Sequence, residues 1–141
     1  GMEGRCQCGQ ITFVTPTDKP QAIFICHCLE CRHQSSSAYG ISAIFPAFNI
    51  EAPNPSAIAV YSRPSSTGET RGTFCTTCGS RLMHQHISFE GTLSPRVAVK
   101  AGCLDGLTKD MLRTAMHIWT KRAITSIPEC SEAYDEDPPR S

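Results

Sequence analysis

Cys26-His27-Cys28-Leu29-Glu30-Cys31-Arg32 packs three cysteines into six positions, and the reading of this stretch decides the fold. Thiols so close along a chain gather round one metal ion at little cost in loop-closure entropy. Two further clusters flank it. Gly4-Arg5-Cys6-Gln7-Cys8-Gly9 lies upstream and Phe74-Cys75-Thr76-Thr77-Cys78-Gly79-Ser80 downstream. Seven of the nine cysteines therefore sit in three tight groups. A closed structural zinc takes four protein ligands, whereas a reactive zinc takes three and keeps one position open. Seven thiols are the ligand set of one zinc of each kind. Cys103 and Cys130 stand alone and read as ordinary thiols.

A disulfide framework is the rival reading of so many cysteines. The count is odd, no secretory leader is legible before Cys6, and the Cys-x-Cys and Cys-x-x-Cys spacings suit metal knuckles. The expectation is a cytoplasmic, reducing setting that favours metal thiolates. Gly1 ahead of Met2 reads as a cloning remnant.

Composition narrows the function classes. Thirteen basic residues balance thirteen acidic ones over 141 residues, and the pI is near 7.1. Proteins that grip phosphate backbones usually carry a basic surplus, so this balance argues against a nucleic-acid partner. No apolar run approaches the ~20 residues needed to cross a bilayer as a helix. The length suits one domain with its own core.

Strand signals dominate the rest. Alternating or apolar runs rich in Val, Ile, Phe and Thr predict strands at 10–14, 22–26, 41–45, 57–61, 71–74, 81–87, 96–100 and 115–119. Only 31–39 and 108–113 read as helical turns. Proline and asparagine mark 46–55 as a surface loop, and 62–68 as another. From Pro128 the chain turns acidic and proline-rich, so residues 129–141 are expected to be extended or loosely held after a domain spanning 2–128. The fold class is mainly β, a single domain of short antiparallel strands with little helix.

Spacing alone leaves two ways to divide the seven thiols. Cys28 and Cys31 could join Cys75 and Cys78 in a zinc ribbon, stranding Cys6, Cys8 and Cys26. Alternatively Cys6 and Cys8 join Cys75 and Cys78, and Cys26, Cys28 and Cys31 form a contiguous three-thiolate loop.

The ordered motifs at residues 4–9, 26–32 and 74–80 resemble those of the glutathione-dependent formaldehyde-activating (GFA) family, which includes centromere protein V. The likeness extends to Gly102-Cys103-Leu104-Asp105 and His117-Ile118-Trp119, and covers roughly residues 4–128. It implies a zinc-pinned β-tent, a structural zinc on Cys6, Cys8, Cys75 and Cys78, and a second zinc on Cys26, Cys28 and Cys31. It further implies a carbon–sulfur lyase-like enzyme that joins a small thiol such as glutathione to formaldehyde or another small aldehyde, with Cys26, Cys28 and Cys31 as the catalytic set. The chain departs from the family where Cys31-Arg32-His33-Gln34-Ser35-Ser36-Ser37 replaces the usual Cys-Arg-Lys-x-Ser-Gly-Ser.

A zinc held by three thiolates has a formal charge of minus one. Such a site suits keeping an incoming thiol as a thiolate better than ionising water. Arg32, Ser35 and Ser36 follow the loop and are the expected donors to an anionic thiol substrate. His27 is wedged between two ligands, so its side chain should point away from the metal. His84 and His86 share one strand face and could meet metal or substrate carboxylates, and His117 reads as a packing residue. A non-catalytic zinc module acting as a binding or chaperone-like protein is the alternative reading.

Overall fold

In the computed structural model, which describes residues 1–139, nine short strands carry the fold. They are β1 (Glu3–Arg5), β2 (Thr12–Val14), β3 (Ala22–Cys26), β4 (Gly40–Pro46), β5 (Ile58–Ser65), β6 (Gly68–Cys75), β7 (Arg81–Ser88), β8 (Arg96–Lys100) and β9 (Met116–Ile118). Two short helices, α1 (Leu29–Ser35) and α2 (Lys109–Arg113), complete the regular structure with three single 3-10 turns. Strands β5-β6-β7-β8-β4-β3-β9 form a seven-stranded sheet, and β1-β2 a separate hairpin. The expected mainly β, single-domain class holds. Every neighbouring pair is antiparallel except β3 and β9, which run parallel with Ile25 opposite His117.

The core lies between the hairpin and one face of the large sheet. Ile11 and Phe13 from the hairpin segment meet Ala43 and Phe45 on β4, Leu82 and Met83 on β7, and Val97 and Val99 on β8. Alternation on β8 explains the choice, since Val97 and Val99 lie on one face and Lys100 on the other.

One irregularity gives this sheet its two uses. The β6–β7 register pairs Thr73 with Met83 but Phe74 with Arg81, leaving Leu82 as an extra residue on β7. This bulge breaks the alternation, so Leu82 and Met83 both enter the core. Arg81 and His84, on either side, both face the opposite surface and line a cleft there.

One expected loop, 62–68, and one expected helix start, residue 31, differ in the structure. β5 continues to Ser65 through Pro64, which an edge strand tolerates because its outer N–H groups need no partner. Helix α1 starts at Leu29 rather than at residue 31, because the Cys28 sulfur accepts the Cys31 N–H at 3.3 Å and caps it.

The acidic C-terminal segment is extended, and it is held. His117 N donates to Glu132 O and Tyr134 N to His117 O, both at 2.9 Å, so the segment runs beside β9. Residues 140 and 141 of the expected tail lie outside the described residues.

Phe45 is fully buried at the centre of the core. Phe45→Ala is expected to cost about 3–5 kcal/mol of unfolding free energy, measured by urea titration, without changing the protein's metal content. A loss below about 1 kcal/mol would contradict this placement of the core.

Candidate metal centres and the cleft beside them

The thiols assemble into two groups. The sulfurs of Cys6, Cys8, Cys75 and Cys78 lie within 4.8 Å of one another, and so do those of Cys26, Cys28 and Cys31. The ribbon pairing of Cys28 and Cys31 with Cys75 and Cys78 is absent.

In the four-sulfur group, local turns aim the side chains inward. Ile11 N donates to the Cys6 sulfur at 3.3 Å, and Gly79 N donates to Cys75 O at 2.8 Å. Gly9 and Gly79, each just past its cysteine pair, adopt φ values of 78° and 79°, which other residues rarely reach. The Cys6–Cys8 sulfurs are 3.6 Å apart and the Cys8–Cys75 sulfurs 3.8 Å. A tetrahedral zinc with Zn–S bonds of about 2.3 Å requires sulfur–sulfur edges of about 3.8 Å, so this group fits zinc in number, type and spacing. The Ser80 hydroxyl, 3.2 Å from the Cys78 sulfur, pulls that thiol down to about 5. Cys6 and Cys75 are part of the core, which closes this group off from solvent on one side.

The three-sulfur group is built differently. β3 delivers Cys26 at its end, Cys28 caps α1, and Cys31 lies in the helix's first turn. Contacts from the other two thiols pull Cys28 down to about 2, and the same contact with Cys28 pushes Cys26 far up. Three sulfurs this close cannot all ionise without a cation among them, and a divalent metal removes that conflict. The donor set therefore fits a metal, and a thiolate-seeking one such as zinc.

His27 sits between two of these cysteines and turns the other way. Its ring is wholly buried, with Nε2 2.9 Å from His117 Nδ1 and the two rings stacked at 5.2 Å. Burial holds both imidazoles below their ordinary range. His27 thus fixes the loop from behind, and His117 is its packing partner.

In front of the loop opens a cleft of about 940 Å³. Its floor holds Cys26, Cys28 and Cys31, and one wall carries Tyr61, Arg63, Arg81, His84 and Lys100 from the sheet. Burial, with Lys100, Arg81 and Arg63 nearby, drives His84 down to about 3, so its ring is neutral and offers the cleft one donor and one acceptor. Burial also lowers the Lys100 ammonium, while charge on Cys31, Cys26 and Cys28 acts to hold its proton. Arg63 pairs with Glu30 of α1 at 3.2 Å, tying the helix to the sheet edge.

Arg32, Ser35 and Ser36 are placed elsewhere. None of them lines this cleft; the helix presents His33 and Gln34 to it instead. The Ser35 hydroxyl donates to Cys31 O at 2.8 Å, and Ser36 forms the left-handed cap of α1 at φ 52°. His86 hydrogen-bonds to Thr67 at 2.8 Å.

Sequence reading missed the opposite wall. Trp119, Arg122 and Asp137 line it, with Trp119 Nε1 donating to Asp137 at 2.9 Å. The Lys121 ammonium meets Glu136 at 2.5 Å and lies 5.2 Å from the Trp119 ring. Trp119 itself adopts φ 57°, a conformation that costs a non-glycine residue about 1 kcal/mol or more. The acidic composition of the tail was a legible signal, but not its place beside the cleft.

The fold and the site define a mainly β, cysteine-clustered protein able to hold two metal ions, one at the edge of the core and one facing a cleft. The family model described as "Glutathione-dependent formaldehyde-activating enzyme" matches residues 1–122, and the chain belongs to that family. A crystal structure of a Rhodobacter sphaeroides protein superposes with a TM-score of 0.57 over 82% of this chain and 99% of that one. At 20% identity it bears on the fold. No curated protein sequence matches the chain. Among the described residues, no helix is long and apolar enough to cross a membrane.

Two outcomes follow from these arrangements. Cys75→Ala should unfold the domain, since a structural zinc contributes on the order of 10 kcal/mol in small folds, whereas Cys28→Ala should stay folded with one metal fewer by elemental analysis. Equal collapse of both variants would sink this division of roles. The chain's single tryptophan reports the tail contact: Asp137→Ala should shift its emission to the red while the circular dichroism is unchanged.

Proposed function

We propose that the chain is a zinc-dependent carbon–sulfur lyase-like enzyme that adds a small thiol to a small aldehyde, with Cys26, Cys28 and Cys31 as its reactive metal set. One observation carries this reading: a three-sulfur group on the floor of a cleft whose sheet wall is cationic. The family's name points to glutathione and formaldehyde as the substrates. Cys26, Cys28 and Cys31 would hold the zinc, which would supply an open position that lowers the pKa of a bound thiol while leaving it nucleophilic.

The chain's own residues do the rest. Lys100 sets a positive charge against the surplus negative charge of three thiolates and one divalent ion. The substrate sulfur forms a bond to the carbonyl carbon as the carbon–oxygen π pair moves to oxygen. The neutral His84 ring can donate a hydrogen bond to that oxygen, which ends by taking the proton the thiol released. The product is an S-hydroxymethyl adduct, and no oxidant or reductant is consumed. Contacts to the rest of the thiol fall to the sheet wall and α1 in this reading, with the four-cysteine group purely structural. The zinc domain spans residues 2–128, with the acidic segment after it, and a reducing cytoplasmic setting suits both thiolate groups.

Exchange NMR of formaldehyde with glutathione measures the reaction directly. The zinc-loaded protein should accelerate exchange above the spontaneous rate, and Cys28→Ala or a mild chelator should abolish the acceleration. No acceleration in the fully loaded protein would leave a non-catalytic zinc-binding module of the same fold.

A further inference from the structure

The sheet wall of the cleft contains a guanidinium held in place by everything except a counter-charge. The bulge at Leu82 aims Arg81 across the sheet rather than along it. A Cβ on Gly72, the residue beneath it on β6, would lie 2.1 Å from Arg81 Nη1, so the side chain occupies the space that glycine leaves. The guanidinium carbon lies 5.8 Å from the centre of the Tyr61 ring, within reach of a cation–π contact. No carboxylate among the described residues pairs with Arg81, although Arg63 beside it is paired with Glu30 at 3.2 Å. Burial depresses the Arg81 pKa, as does Arg63. A partly desolvated cation without a partner carries a cost that an arriving anion offsets.

We propose that Arg81 is a specificity-determining residue that receives the carboxylate of an anionic thiol whose sulfur lies at the three-cysteine group. The inference deepens the thiol-addition reading and rests on it. The guanidinium presents a planar pair of N–H donors, the geometry that binds a carboxylate in two parallel hydrogen bonds. Lys100 lines the same cleft, where charge on Cys31, Cys26 and Cys28 acts to hold its proton. Gly72 is a positioning residue: it leaves the room that the Arg81 guanidinium occupies.

The test uses the full chain with cobalt in place of zinc, whose visible spectrum changes when a thiol enters the metal's coordination sphere. Mercaptopropionate and its uncharged methyl ester are titrated against it. The wild-type protein should bind the acid roughly 10–100-fold tighter than the ester, as a charge-assisted hydrogen-bond pair implies. Arg81→Gln should erase that preference while leaving affinity for the ester unchanged, and Gly72→Ala should reduce it with Arg81 still present. Equal wild-type affinity for acid and ester overturns the role of Arg81 alone. So does equal weakening of both ligands by Arg81→Gln, the mark of a merely structural residue. A spectrum that responds to neither thiol overturns the open-site reading and this proposal together.

Discussion

Four sulfur atoms that must meet at one point govern the rest of the molecule. Cys6 and Cys8 lie on the connection of a hairpin whose strands are three residues each, too short to stand alone in water. Cys75 ends the eight-residue strand β6, and Cys78 lies on the turn that leads to the eight-residue strand β7. Joining the two segments presses Ile11 and Phe13 onto Phe45, Val97 and Leu82, and this is how one face of the sheet becomes a core. The metal-type junction and the hydrophobic core are therefore parts of one construction, since Cys6 and Cys75 belong to both.

With one face closed by the hairpin, the other is free to work. The sheet places Cys26, Lys100, His84 and Tyr61, from four different strands, on that open face. The bulge adds Arg81 to the set without taking Leu82 and Met83 from the core. Helix α1 and the C-terminal segment then wall the cleft from two sides. The Glu30–Arg63 pair and the Trp119–Asp137 hydrogen bond join these walls to the sheet edges.

Much of this was legible in the residues, and the rest was not for definable reasons. β3 and β8 were read to the residue, because each is a short run of apolar or alternating side chains bounded by turns or by the cysteine loop. β1, Glu-Gly-Arg, carries no periodicity and exists only because β2 pairs with it. The first turn of α1 was missed because its cap is a cysteine sulfur, which no propensity scale recognises as a helix start. The division of the thiols needed either resemblance or coordinates, since both partitions satisfy the local spacing. Arg81, Lys100 and Tyr61 could not be grouped from sequence. Their meeting depends on strand order and on one extra residue in a ladder, and neither is a local property.

The sulfur of Cys28 has two duties that cannot be separated. It accepts the N–H that starts helix α1, and it is one of the three donors facing the cleft. Ion capture and helix nucleation are thus one equilibrium: whatever fastens that sulfur also restrains the first turn, whose formation is the costly step of any short helix. An affinity measured at this centre contains the free energy of ordering seven residues of backbone along with that of the metal–sulfur bonds. A helix-favouring change on the solvent side of α1 would therefore tighten metal binding without touching a ligand.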